Sequence, residues 1–143
     1  MIELADVNVL VSLAWPNHVH HSQSRAWFAE FGMSGWASCP ITEAGFIRVS
    51  SNRRVIPDAR GVGEAVGVLR ALRAVGRHHF WTDDVSPVES HEVDFEALNG
   101  YRQVTDAMLA SLAGRHGGKF VTFDSAAAAL CRTNAIEVRL LSL

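Results

Sequence analysis

Gln103–Asp124 reads QVTDAMLASLAGRHGGKFVTFD, and its three parts decide the fold. Ala107 to His116 carries Met108, Leu109, Leu112 and Ala113 at i, i+1, i+4, i+5 spacing, the stripe of an amphipathic helix. Gly117-Gly118 ends it, because glycine enters the left-handed conformation that helix C-termini use. Lys119 to Phe123 is then a short strand of aromatic and β-branched residues. An acid stands at each end: Asp106 in the first helical turn, after Thr105, and Asp124 just past the strand. A helix that feeds a strand ending in an acid is half of an α/β unit with a carboxylate on its rim.

Working outward from the N-terminus, the same alternation recurs. Ile2 to Ala5 reads as a minimal strand followed by Asp6. Val7 to Trp15 is apolar nearly all round, the pattern of a buried helix, stopped by Pro16-Asn17. His18 to Phe31 has helix spacing with Ala26, Trp27 and Phe31 on its apolar side. Gly32 to Gly35 is a turn and Trp36 to Ser38 a second strand. Pro40 suits the first turn of the next helix, whose expected buried face is Ile41, Ala44, Phe46 and Ile47, with Glu43 in the first turn. Ser51 to Pro57 is a loop. Gly63 to Val75 is a helix with Val66, Leu69 and Leu72 inside and Arg70, Arg73 and Arg77 outside. His79 to Thr82 is a third strand, and Pro87 to Leu98 reads as a weak, acidic helix. Ser125 to Cys131 and Glu137 to Leu141 complete the chain as helix and strand. Five strands separated by helices indicate an α/β fold with a parallel sheet and right-handed crossovers. No repeat, low-complexity tract or linker interrupts it, and residues 1–143 read as one domain.

Composition narrows the function classes. The 143 residues are 48% apolar and 20% charged, which suits a packed core and argues against disorder. A net charge of -2 carries no global nucleic-acid signature. The distribution says more: twelve of the thirteen cations are Arg, and Arg48, Arg53, Arg54, Arg60, Arg70, Arg73 and Arg77 cluster in one span. Arg favours bidentate phosphate contacts, so this group is a candidate anion-binding face, weighed against a plain solvated helix face. Cys39 and Cys131 lack the spacing of a disulfide scaffold or zinc site. The apolar N-terminus contains Glu3 and Asp6 and has no basic n-region. It is too short and too charged to span a bilayer, so a cytoplasmic, soluble protein is expected.

Four acids hold equivalent places: Asp6 after the first strand, Glu43 at the start of the helix after the second, Asp106 at a helix start, and Asp124 after the fourth strand. Ligands of open α/β sheets sit beyond the carboxyl ends of the strands, so one edge can gather all four. Carboxylates in one cleft repel one another unless a cation is present. Hard ions such as Mg²⁺ and Mn²⁺ take oxygen ligands, and they activate water for attack on phosphorus. Taken singly, each acid is better explained by favourable interactions at a helix N-terminus; their shared placement is what favours a common site. No Ser-His-Asp set, Walker loop or dinucleotide fingerprint competes.

LADVNVLVSLAW, PITEAGFIRVSSN, QVTDAMLASLA and GGKFVTFD, in this order and spacing, resemble the PIN-domain ribonucleases, and most nearly the VapC-type toxins of bacterial toxin–antitoxin pairs. RVSSNRRVIP after the third helix strengthens the VapC likeness, which runs from Ile2 to Leu141. The resemblance implies a parallel sheet of order 3-2-1-4-5, with Asp6 and Asp124 on adjacent central strands. It also implies that Asp6, Glu43, Asp106 and Asp124 form the catalytic and metal-binding quartet, with Asp6 and Asp106 the most direct ligands. Asn8 and Thr122 fall on supporting polar positions. The family cleaves single-stranded RNA with Mg²⁺ or Mn²⁺, leaving a 5′-phosphate and a 3′-hydroxyl. The resemblance further implies a homodimer and a cognate VapB-type antitoxin docking a helix in an apolar groove. The abundant apolar residues of Val7 to Trp15 and Ala26 to Phe31 suit such surfaces.

Other features admit plainer accounts. His18, His20 and His21 lack a third nearby ligand partner of the right type and read as a solvated helix start rather than a metal site. His78 and His79, beside Arg77, fit either an RNA contact or an ordinary surface. Trp15, Trp27, Phe28 and Trp36 are able to stack bases, though core or interface packing explains them better. Two rivals to the toxin stand: a housekeeping PIN nuclease of RNA processing, and a non-catalytic Mg²⁺-binding signalling module of the receiver type. The receiver needs an acid pair after strand one and a phosphoacceptor after strand three. The chain has a lone Asp6 and a misplaced Asp83-Asp84.

Overall fold

Five short parallel strands run in the order β3-β2-β1-β4-β5 in the computed structural model, which describes residues 1–57, 59 and 61–142. They are β1 (Glu3–Ala5), β2 (Trp36–Ser38), β3 (His78–Phe80), β4 (Lys119–Thr122) and β5 (Val138–Leu140). The helices are α1 (Val7–Ala14), α2 (His21–Glu30), α3 (Pro40–Ser50), α4 (Val62–Arg73), α5 (Val104–Arg115) and α6 (Ser125–Thr133). The expected strand order is therefore the observed one. Arg60, one of the arginines singled out above, lies outside the described residues.

Strand periodicity makes two cores from one sheet. Leu4 pairs with Ala37 and Phe120 in register, and this row faces α5 and α6 through Leu109, Leu112, Ala127 and Cys131. One residue along, Ala5 pairs with Val121. With Trp36 this row packs against Val9 and Leu10 of α1, Trp27 and Phe28 of α2, Phe46 of α3 and Leu69 of α4. Because successive residues point to opposite faces, both sides of β1 are buried, as a parallel sheet covered by helices requires. Close approach between α1 and α3 depends on Gly45, where a Cβ would lie 2.6 Å from Val7 Cγ2. Gly117 ends α5 at φ +64, the left-handed turn expected of the glycine pair.

A carboxylate at the amino end of β1 also sits inside. Glu3 is 4% exposed. It accepts from Trp27 Nε1 at 2.9 Å and from Arg139 Nε and Nη2 at 2.8 and 3.1 Å, while Arg139 also stacks over Phe31. The fork ties β1, α2 and β5 together, and every lone pair it uses is compensated, as a buried carboxylate demands.

The structure corrects several expectations. Pro87 to Leu98 is not a helix; it is turns with a single 3₁₀ turn at Phe95–Ala97. Side chains there capture the backbone donors a helix would use: Ser86 Oγ accepts from Val88 N, Ser90 Oγ from Val93 N, and Asp94 Oδ1 from Glu96 N. Such local bonds compete with helix, and Val88 is 90% exposed, so no apolar stripe repays the ordering. In α5 the helix starts at Val104, three residues before the Ala107 start that the apolar pattern suggests, because a first turn needs no buried face. Ala26 and Ala44 are exposed, and the buried positions are Ser24, Trp27 and Phe28 on α2 and Thr42, Gly45, Phe46 and Ser50 on α3. Trp27, Phe28 and Trp36 are core residues, and Trp15 donates to Ser50 Oγ. His18, His20 and His21 are half-buried rather than fully solvated: His21 Nδ1 meets Ser12 O at 2.8 Å, and His20 stacks on Phe123.

Candidate active site

The strand order reverses at β1: the chain goes first to β2 on one side and later to β4 on the other. Such a switch point opens a crevice at the carboxyl ends of the strands. Asp6 and Asp124 stand there, immediately after β1 and β4. Both are helix N-caps, for α1 and α6.

Asp6 is held from both sides. Its Oδ1 accepts from Val7 N at 2.8 Å and its Oδ2 from Thr122 Oγ1 at 2.7 Å. Thr122, fully buried, accepts in turn from Asp124 N at 3.0 Å, so one hydroxyl aligns both rim aspartates. Asp124 Oδ1 caps Ala126 N and Ala127 N at 2.8 and 3.3 Å. Asp106, in the first turn of α5, completes the group. Burial, then the charges of Asp6 and Asp124, push its pKa from 3.8 up to about 6. The Asp6 carboxyl is raised as well, chiefly by desolvation and against its two hydrogen bonds, with Asp124 adding repulsion.

Glu43 belongs to a different local network. It lies in the first turn of α3 beyond β2, and its Oε2 accepts from Ser38 Oγ at 2.6 Å. Arg73 of α4 reaches the same carboxylate at 3.2 Å. Ser38 Oγ also lies 2.7 Å from His78 Nε2. Burial, aided by Arg73 and His79, lowers the His78 pKa to about 4, so the ring is neutral at pH 7. Thus the structure draws three aspartates into mutual repulsion and gives the glutamate a cation of its own. Ser38 went unremarked in the sequence, although its place at the strand end five residues before Glu43 was visible. His78 turns inward beside Trp36, its ring 4.5 Å away, and is not an open surface residue.

The remaining candidates are dispersed. Asn8 is exposed on α1. Arg48, Arg54, Arg70 and Arg77 are exposed, whereas Arg53 Nε is tied to Ala59 O at 2.9 Å. Arg70 and Arg73 border a groove of about 630 Å³ whose floor includes Glu43, Ile47, Leu69 and His78. Asp84 pairs with Arg115 at 3.2 Å.

All-oxygen donors suit a hard divalent cation, whose charge would offset both the burial and the mutual repulsion that raise Asp6 and Asp106. Among the described residues, no three His, Cys, Asp or Glu side chains stand close enough to cage an ion; the aspartates form an open rim. The thiol of Cys131, pushed up to about 12 first by burial and next by Asp106, is not a nucleophile at neutral pH.

Comparison with known proteins agrees with this architecture. The PIN domain profile matches residues 4–133. Ribonuclease VapC38 of Mycobacterium tuberculosis is 55% identical over 122 residues, covering 85% of this chain and 84% of that protein. Ribonuclease VapC39 of the same species is 45% identical over 138 residues, or 96% and 99% of the two chains. Among solved structures, VapBC2 from Rickettsia felis, bound to a DNA fragment from its promoter, superimposes with a TM-score of 0.64. At 14% identity over 99% of this chain and 100% of that one, it supports the shared fold. Among the described residues, no helix is long and apolar enough to cross a membrane.

Proposed function

The chain belongs to the PIN-domain family, among its VapC-type ribonuclease toxins, and from that premise we propose that it is a divalent-metal-dependent endoribonuclease cleaving single-stranded RNA. The observation that carries the reading is the gathering of Asp6, Asp106 and Asp124 at one rim, where burial first and then the charges of the other two hold Asp106 at a pKa of about 6. Asp6 and Asp106 would hold Mg²⁺ or Mn²⁺ most directly, with Asp124 and Glu43 completing the quartet. When bound, the ion supplies charge that activates water and stabilises the leaving oxygen of the phosphodiester.

The protein's own part is to position and to move a proton. Thr122 holds Asp6 Oδ2 in place, and a bound cation would offset the repulsion among the aspartates. A carboxylate of the set then accepts the proton that the attacking water releases. Arg48, Arg54, Arg70 and Arg77 form the proposed RNA track, with Arg53 and Arg73 contributing the donors their internal bonds leave over. Asn8 is a supporting polar group.

The relatives' names support a toxin paired with a cognate antitoxin of the VapB type, and a homodimer is the proposed assembly. The apolar groove bordered by Leu13, Phe28, Met33, Leu72 and Val75 suits a docked amphipathic helix. Residues 1–143 act as one PIN domain in this reading.

The test is incubation of total RNA with purified protein in Mg²⁺, in Mn²⁺ and in chelator, beside Asp6→Ala. Discrete fragments that disappear with chelator and in the variant are expected. Wild type and variant equally inert in both metals would overturn the catalytic reading.

A further inference from the structure

Glu43 is drawn in two directions. From inside, Ser38, fully buried at the end of β2, donates to Oε2 at 2.6 Å. From outside, Arg73, its side chain 41% exposed, reaches Oε2 at 3.2 Å and Oε1 at 3.4 Å. The Ser38 hydroxyl has one proton, and an ionised carboxylate only accepts. That proton therefore belongs to Glu43. His78 Nε2, 2.7 Å from the same hydroxyl oxygen, has to be the donor there. A directed chain follows: His78 Nε2–H to Ser38 Oγ, then Ser38 O–H to Glu43 Oε2. Its first two members sit on paired strands, with Trp36 opposite His78 in register and Ser38 opposite Phe80.

We propose that Ser38 and His78 are positioning residues for Glu43, a brace that keeps its carboxylate available to a divalent cation and resists capture by Arg73, an assignment that rests on the metal-dependent reading above. Hydrogen bonds to ionised acceptors are the strong ones, whereas a half-exposed ion pair contributes little. While the brace holds, a single Arg73 nitrogen, Nη1, meets both oxygens, Oε2 at 3.2 Å and Oε1 at 3.4 Å. Without it, nothing opposes a two-pronged guanidinium–carboxylate pair, the geometry arginine prefers, and a cation has to displace it.

Mn²⁺ binding to the full chain, followed by calorimetry, tests this without reference to catalysis. Ser38→Ala is expected to weaken Mn²⁺ binding by about tenfold or more, as loss of hydrogen bonds behind a ligand commonly does. Ser38→Thr keeps the hydroxyl and restores affinity. Adding Arg73→Ala to Ser38→Ala recovers most of the loss, which a merely structural serine would not allow. His78→Phe, which fills the space beside Trp36, gives a smaller loss and serves as the second variant if Ser38→Ala folds poorly. Unchanged Mn²⁺ affinity in folded Ser38→Ala or His78→Phe overturns the brace, and so does a loss that Arg73→Ala leaves untouched. Long-range ¹H–¹⁵N spectra of the wild type read the chain directly: a proton on His78 Nε2 is expected, and one carried solely by Nδ1 overturns it. A wild type that binds Mn²⁺ but cuts no RNA defeats the nuclease reading and leaves the brace standing; one that binds no Mn²⁺ defeats the brace's role toward a cation.

Discussion

Replacing Asp106 by Asn removes one charge from the aspartate group while keeping the side chain's size, and in chelator it is expected to stabilise the protein. The pKa of Asp106 is 3.8 in the unfolded reference and about 6 in the fold. An acid whose folded pKa is raised binds more protons folded than unfolded, so stability falls as pH rises through that interval. The cost is absent below about 3.8, grows between 3.8 and about 6, and is complete above it. Roughly two pKa units correspond to a ceiling of about 3 kcal/mol. Asp106 is only half-buried, and solvent screening reduces this to about 1–2 kcal/mol. For a chain of this size that is a rise in Tm of roughly 3–8 °C. Thermal unfolding in chelator, followed by circular dichroism from pH 4 to pH 8, should show the variant drawing ahead of wild type through pH 5–6. Saturating Mn²⁺ should shrink or reverse the gap, because a bound ion stabilises the wild type by mass action. A gap at pH 8 of zero, or one of the same size at pH 4, would refute the claim that burial and the neighbouring aspartates together raise Asp106.

Three further perturbations probe the frame around the site. Thr122→Val keeps the shape but leaves Asp6 Oδ2 without its donor; chemical denaturation should show a loss of about 1–3 kcal/mol, and a neutral result would mean the bond is dispensable. Gly45→Ala places a Cβ 2.6 Å from Val7 Cγ2 and should cost about 1–3 kcal/mol. Adding Val7→Ala should then restore part of the loss, and strictly additive effects would argue against that contact. Glu3→Gln keeps the acceptor for Trp27 but breaks the charge pair with Arg139. About 2–3 kcal/mol is expected in urea denaturation, less than the ~3–5 of fully buried pairs, because Arg139 is 24% exposed.

Local pattern was enough to read the alternation of helix and strand, the glycine stop after α5, and the placing of Asp6, Glu43, Asp106 and Asp124 at element ends. Each of these depends on residues within a few positions of one another, where spacing along the chain is also spacing in space. The 87–98 segment misled because its Ser and Asp side chains satisfy the backbone locally, which composition alone does not reveal. The strand order came from the family likeness and not from periodicity, and it is the order that puts Thr122 against Asp6 across 116 residues. The division of the acids was equally out of reach. Asp106 feels Asp6 and Asp124, while Glu43 is claimed by Ser38, by Arg73 thirty residues away and, through Ser38, by His78. A carboxylate's chemistry depends on which charges and donors surround it in three dimensions. The sequence by itself therefore determined which groups the rim would carry; the tertiary structure alone decided how they share their protons and partners.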